Sequence, residues 1–226
     1  MHFLFNHTID NYYTFTIKYK TMQRVVVVDY GMGNLFSVIK KLKRIGADAV
    51  VSDSLTALET ADKILLPGVG HFGKAMENLA QRGLIDVLNK KVLVDKTPVL
   101  GICLGMQLMC TESEEGNYKG LNWVDASVKR FRVNDSLRFK VPHTGWNQVS
   151  VEKESPIMEG ISTGEEFYFV HSYHVICNNR NNILNTTHFE ETFTSAFQHE
   201  NIFGVQYHPE KSYEAGETLM RNFIGL

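Results

Sequence analysis

The chain has 226 residues, a formal net charge of -2, 43% hydrophobic residues and 21% charged residues. That balance describes a soluble globular protein with one full core or two small ones. It gives no reason to expect nucleic acid or a membrane surface as the main partner. Three widely spaced cysteines, Cys103, Cys110 and Cys177, form neither a disulfide framework nor a zinc pattern, and their simplest setting is a reducing cytoplasm.

The first stretch, residues 1–21, lacks a basic start, a continuous apolar centre and a small-residue cleavage site. It reads as an extension outside the domain, although FTIKYK within it alternates as a short strand would. The domain is expected over 22–226. RVVVVDY is a β-branched run typical of a strand covered on both faces. NLFSVIKKLKRIG has the spacing of an amphipathic helix closed by Gly46. DAVV and KILLPGVG read as strands, with a short helix in SDSLTALETAD between them. GKAMENLAQRG and LIDVLNKKVLV read as helices, PVLGIC as a strand and LGMQLMCTE as a helix. No apolar run approaches the ~20 residues needed to span a bilayer.

After Gly116 the pattern changes to strands: VDASVKRF, HTGWNQVSV, EFYFVHSYHVI and FTSAFQHENIFGVQYHP, with HEN as a hairpin turn and AGETLMRNFIGL as a closing helix. The expected fold class is α/β: a doubly wound mixed sheet with helices on both faces and a β-rich second half.

Gly101-Ile102-Cys103-Leu104-Gly105 has the spacing of a nucleophile elbow with Cys in place of Ser. Such a turn presents one side chain above the sheet, and its flanking glycines let neighbouring backbone pass close. A following helix N-terminus favours thiolate, and the N–H of Leu104 would face a developing oxyanion. A buried cysteine beside two packing glycines fits the same five residues, and the motif alone leaves both readings open.

A nucleophilic cysteine needs a base and an orienter. Of nine histidines, His71, His143, His188 and His199 fall near turns and read as solvated, while His171 and His174 read as structural residues of a strand. His208 differs. Pro209 biases it towards extended backbone, which puts His208 and Glu210 on one side. A carboxylate there can hold one ring nitrogen and leave the other for the thiol, although a strand-end histidine with a surface glutamate is the plainer reading of the pair taken alone. The glycine turn Pro67-Gly68-Val69-Gly70 follows a neighbouring strand and can offer N–H groups to an anion, although a plain strand-to-helix turn is the stronger reading of this motif taken alone. DYGMGNL lacks the third glycine of a dinucleotide fingerprint.

Taken together, PGVG, GICLGMQ and HPE resemble the class I, triad-type glutamine amidotransferases over nearly all of 22–226. YGMGN, PHTGWN, FYFVHSYH and HPEKS further resemble the glutaminase subunits of imidazole glycerol phosphate synthases. The resemblance implies Cys103 as nucleophile, His208 as base and Glu210 as its orienter. It implies an oxyanion hole from Leu104 with Val69 or Gly70, and contacts to L-glutamine from Gly68, Gly70, Gln107, Glu115, Ser172 and Tyr173. It places Asn34 and Lys211 near an interface with a separate (β/α)8 cyclase subunit, and it implies neither metal nor cofactor. A helix N-cap and a solvated lysine remain the plainer readings of Asn34 and Lys211. Glutaminase subunits of anthranilate or aminodeoxychorismate synthases, which usually carry PGPG and lack the lysine after HPE, are the alternative, followed by a cysteine hydrolase sharing the elbow.

Overall fold

The computed structural model describes residues 23–226. The expected extension and its short strand lie outside the described residues. In chain order the elements are β1 (Arg24–Val28), α1 (Leu35–Arg44), β2 (Asp48–Ser52), α2 (Leu55–Glu59), β3 (Lys63–Gly68), α3 (Phe72–Gln81) and α4 (Leu84–Asn89). Then come β4 (Val99–Cys103), α5 (Leu104–Leu108), β5 (Cys110–Ser113), β6 (Tyr118–Lys119), β7 (Val124–Arg130), β8 (His143–Gln148) and β9 (Ser150–Val151). The chain closes with β10 (Glu166–His171), β11 (Tyr173–Cys177), β12 (Ile183–Phe189), β13 (Glu191–His199), β14 (Ile202–Val205) and α6 (Tyr213–Gly225).

The main sheet runs β2-β1-β3-β4-β14-β13-β11-β7-β5-β6, with β12 and β9 branching from β13. Its first five strands are parallel, and from β13 onwards antiparallel pairs predominate, as the composition shift after Gly116 predicts. The β-branched strands are buried on both faces. Val26 and Val28 pack with Leu79 of α3 and Leu88 of α4, whereas Val25 and Val27 pack with Leu42 of α1 and Phe223 of α6. A separate two-stranded sheet, β8–β10, lies on the α1/α6 side and contributes Phe167 and Phe169 to that core.

Two expected elements differ, and one strand was not expected. The segment LGMQLMCTE is not one helix: α5 stops at Leu108 and Cys110 begins β5. The carbonyls of Leu108, Met109 and Cys110 accept the N–H groups of Leu121, Trp123 and Asn122, so the chain returning from β6 takes the acceptors a longer helix would need. EFYFVHSYHVI is two strands in two sheets, parted at Ser172, where Phe131 N–H binds the Ser172 carbonyl. β12 went unread because Asn185, Thr186 and Thr187 interrupt its apolar pattern. Asn185 is nevertheless fully buried, held by the hydroxyls of Ser195 and Tyr207.

The β4–α5 turn is interlocked with β3. A Cβ on Gly105 would lie 1.6 Å from the Leu66 carbonyl oxygen, and one on Gly101 would lie 2.7 Å from the Met106 nitrogen. Gly105→Ala therefore collides backbone with backbone. It is expected to destabilise the fold by about 3 kcal/mol in urea denaturation, while Gly225→Ala, whose Cβ meets nothing within 4 Å, stays near neutral. A loss as small as that of Gly225→Ala would refute the interlock.

His143, His171 and His174 are buried around Phe131, contrary to the solvated reading of His143. Burial lowers the pKa values of His143 and His174 to about 4 and that of His171 well below its ordinary value. In the unfolded chain these rings take up protons as pH falls through about 6.5, before the folded rings do. Their contribution to stability is thus full above that pH and is lost as pH falls towards 4. His174→Phe keeps the stack on Phe131 and removes one titration. It should flatten the decline of the urea midpoint between about pH 6.5 and 4.5, and an unchanged slope would contradict the assignment.

Candidate active site

The parallel register brings three strand ends to one edge. Gly68 of β3 pairs with Cys103, and Val205 of β14 pairs with Ile102. The Gly68–Gly70 loop, Cys103 and the segment after β14 therefore leave the sheet side by side at its carboxyl edge, where open α/β sheets place their ligands. Cys103 has φ 54° and ψ -109°, a conformation that side-chain-bearing residues rarely adopt and that costs on the order of 1–3 kcal/mol. The strain belongs to the elbow expected from the sequence. Gly68 sits tightly in it, since a Cβ there would lie 2.2 Å from the Tyr30 hydroxyl and 3.0 Å from Leu104 Cβ.

His208 continues from β14 with extended backbone, and its N–H binds the Tyr168 carbonyl at 2.8 Å. Glu210 follows in a single 3-10 turn rather than an extended strand, and the expected contact forms: His208 Nδ1 lies 2.8 Å from Glu210 Oε1. Both side chains are only 2% exposed. Nε2, the other ring nitrogen, is buried without a hydrogen-bond partner. Burial is the largest influence on this imidazole and acts downward. The Cys103 sulfur and the Glu210 carboxylate together outweigh it and raise the pKa to about 10. The arrangement thus favours the imidazolium form of His208.

Cys103 Sγ is flanked by two polar atoms. The thiol faces the Val170 carbonyl at 4.0 Å, and Gln206 Nε2 donates to the sulfur at 3.6 Å. Gln107 Nε2 donates to the Tyr173 carbonyl and to Gln206 Oε1, both at 3.0 Å. Gln206 was not singled out from the sequence. It is fully buried, and its signal was a polar residue two positions before His208 in an otherwise apolar strand, on the same face by period-2 alternation.

The other expected residues fall around this edge. Val69 and Gly70 are exposed, and Gly70 has φ +124°. Glu115 Oε2 accepts the Phe72 N–H at 2.7 Å, at the start of α3 just beyond the glycine loop. Ser172 and Tyr173 are half-buried between β10 and β11. Asn34 caps α1 by accepting the Ser37 N–H at 3.2 Å, and Lys211 Nζ lies 5.3 Å from the centre of the Tyr168 ring. Among the described residues, no group of three or more His, Cys, Asp or Glu could hold a metal ion.

Residues 26–225 match the family model "Glutamine amidotransferase class-I". The imidazole glycerol phosphate synthase subunit HisH 2 of Methanococcus maripaludis is 48% identical over 88% of this chain and 98% of its own length. The HisH 2 subunit of Pseudomonas aeruginosa is 46% identical over 89% of this chain and 99% of its own. Among solved structures, a chain of PurLQS from Thermotoga maritima superposes with a TM-score of 0.67 at 17% identity, covering 90% of this chain and 98% of that one. That likeness extends to the fold alone. Motif, elbow geometry and relatives agree, and the chain belongs to the class I glutamine amidotransferase family.

Proposed function

We propose that this chain hydrolyses the side-chain amide of L-glutamine and passes the ammonia to a (β/α)8 cyclase subunit. The cyclase then makes imidazole glycerol phosphate and aminoimidazole carboxamide ribotide for histidine biosynthesis. Residues 22–226 form the amidotransferase domain, residues 1–21 precede it, and the enzyme works in the cytoplasm. The observation that carries the reading is the strained Cys103 beside the buried His208–Glu210 pair. The HisH names of relatives sharing nearly half their residues support the subfamily.

The chemistry follows from the atoms present. The thiol proton passes to His208 Nε2 before Cys103 Sγ attacks the amide carbon of glutamine. Negative charge develops on the amide oxygen, facing the N–H of Leu104 and one from Val69 or Gly70. The C–N bond breaks as His208 returns the proton to the departing ammonia, leaving a thioester. Water then attacks the thioester, His208 accepts its proton, and the sulfur leaves as glutamate forms. Glu210 holds Nδ1 and so keeps Nε2 towards the sulfur throughout. Gly68, Gly70, Gln107, Glu115, Ser172 and Tyr173 line the glutamine. Both amide hydrogens of Gln107 are already spent, so it offers the substrate its Oε1.

The partner face is the same sheet edge. Rings run outward from the catalytic histidine: Tyr168 lies 6.5 Å from His208, Trp146 lies 6.0 Å from Tyr168, and Tyr213 stacks on Trp146 at 4.8 Å. Tyr213 is 75% exposed and Phe36, in the first turn of α1, 73%. Asn34 and Lys211 flank these rings in sequence. Large exposed aromatic side chains beside a buried reaction centre suit a permanent protein partner.

Cys103→Ala should lower glutamine-dependent synthesis by the complex about 1000-fold or more while sparing ammonia-dependent synthesis. Retained glutaminase activity in that variant would overturn the mechanism. Phe36→Asp removes an exposed apolar contact and should leave thermal stability unchanged while weakening cyclase binding about tenfold. Unaltered co-purification and coupled turnover would move the interface elsewhere.

A further inference from the structure

The hydrogen bond from Gln206 to Cys103 is the end of a chain that runs from the half-buried Asn147 inward and whose direction is fixed throughout. Asn147 Oδ1 accepts the Gln148 N–H, and Asn147 Nδ2 donates to the His188 carbonyl at 2.9 Å. Its second hydrogen therefore points to His143 Nε2, 3.2 Å away. That nitrogen accepts, so in the neutral ring His143 Nδ1 carries the hydrogen and donates to His171 Nε2 at 2.9 Å. His171 Nδ1 then carries its hydrogen and donates to the Tyr173 carbonyl at 2.8 Å. A carbonyl only accepts, so the same conclusion follows from this end. Gln107 Nε2 donates to the Tyr173 carbonyl and spends its other hydrogen on Gln206 Oε1. Gln206 is left with its NH2 group towards Cys103 Sγ.

We propose that Gln206 is a positioning residue for the Cys103 thiolate, held in the donor orientation by the chain through Gln107, the Tyr173 carbonyl, His171 and His143 to Asn147. The proposal rests on Cys103 being the nucleophile. The thiol form is served by the Val170 carbonyl, which accepts the S–H, and the thiolate form by Gln206, which donates to it. Helix α5 has only five residues, so its dipole adds little, and a side-chain N–H supplies what a longer helix would have given. The chain requires His143 and His171 to be neutral, and burial keeps both so. The titratable groups that act on Sγ are His208, backed by Glu210, and Tyr30, whose phenol burial and the neighbouring sulfur push upward. None of them replaces the neutral donor.

The test is the pH profile of Cys103 alkylation by iodoacetamide in the full chain, followed by mass spectrometry. Cys103→Ser serves as the blank for Cys110 and Cys177, whose thiols burial pushes up, that of Cys177 to about 11. Gln206→Met, similar in length and without a donor, should raise the alkylation midpoint by about one pH unit. In the cyclase complex it should cut kcat about tenfold with KM for glutamine within about twofold. Gln206→Glu, nearly isosteric, places an acceptor against the sulfur and should shift the midpoint further. A midpoint unchanged from the wild type in either folded variant overturns the Gln206 assignment and leaves the nucleophile intact. A wild-type chain that alkylates no faster than Cys103→Ser overturns both.

Discussion

The site depends on the parallel register of β4 between β3 and β14. Gly68 opposite Cys103 and Val205 opposite Ile102 bring the glycine loop, Cys103 and the segment that carries His208 to one edge of the sheet. A slip of one residue would turn Cys103 to the other face and separate it from His208. The backbone contact of Gly105 with Leu66 fixes this register at the turn itself, so the glycines of the elbow set alignment as well as exposure. Residues 103 and 208 meet because their strands are neighbours in the sheet, with no local contact between them along the chain.

Four buried histidines lie near this edge, and they titrate in opposite directions for a plain reason. His208 has a carboxylate on one ring nitrogen and a sulfur near the other, so its charged form is favoured. His143 and His171 bind each other, a carbonyl and an amide, which stabilise a neutral ring of defined tautomer, and desolvation then prevails. His174 stacks on Phe131 with Nδ1 unpartnered, and burial again favours the neutral form. Burial accounts for the three neutral rings, and only at His208 do the partners, a carboxylate and a sulfur, overcome it.

Much of this was legible along the chain. The parallel half read correctly because its strands are covered on both faces and appear as unbroken β-branched runs, as in RVVVVDY. Cys103, His208 and Glu210 stood out because their neighbours are glycine and proline, residues that mark backbone geometry. The end of α5 did not read, because carbonyls taken by residues 120–124 terminate it, and periodicity contains no such long-range information. β12 was hidden by Asn185, Thr186 and Thr187, of which Asn185 is buried against Ser195 and Tyr207, and His143 by its closeness to a proline turn. Gln206 was visible as a polar residue in an apolar strand, but its partner 103 positions away was not.

The strain at Cys103 and the unpartnered atoms His208 Nε2 and Glu210 Oε2 are individually unfavourable, and all occur in one small volume. A native core tolerates such atoms when the surrounding structure over-determines their positions. Here the sheet is packed on both faces, and the polar chain from Asn147 to Gln206 has one consistent direction. Reversing a single amide or imidazole within it would set donor against donor, which makes the chain rigid without any charged member. The Cys103 sulfur, the Gln206 amide, His208 and the strained backbone are therefore in place at the sheet edge before any ligand arrives. Most of the reorganisation that catalysis in water would require has been completed during folding.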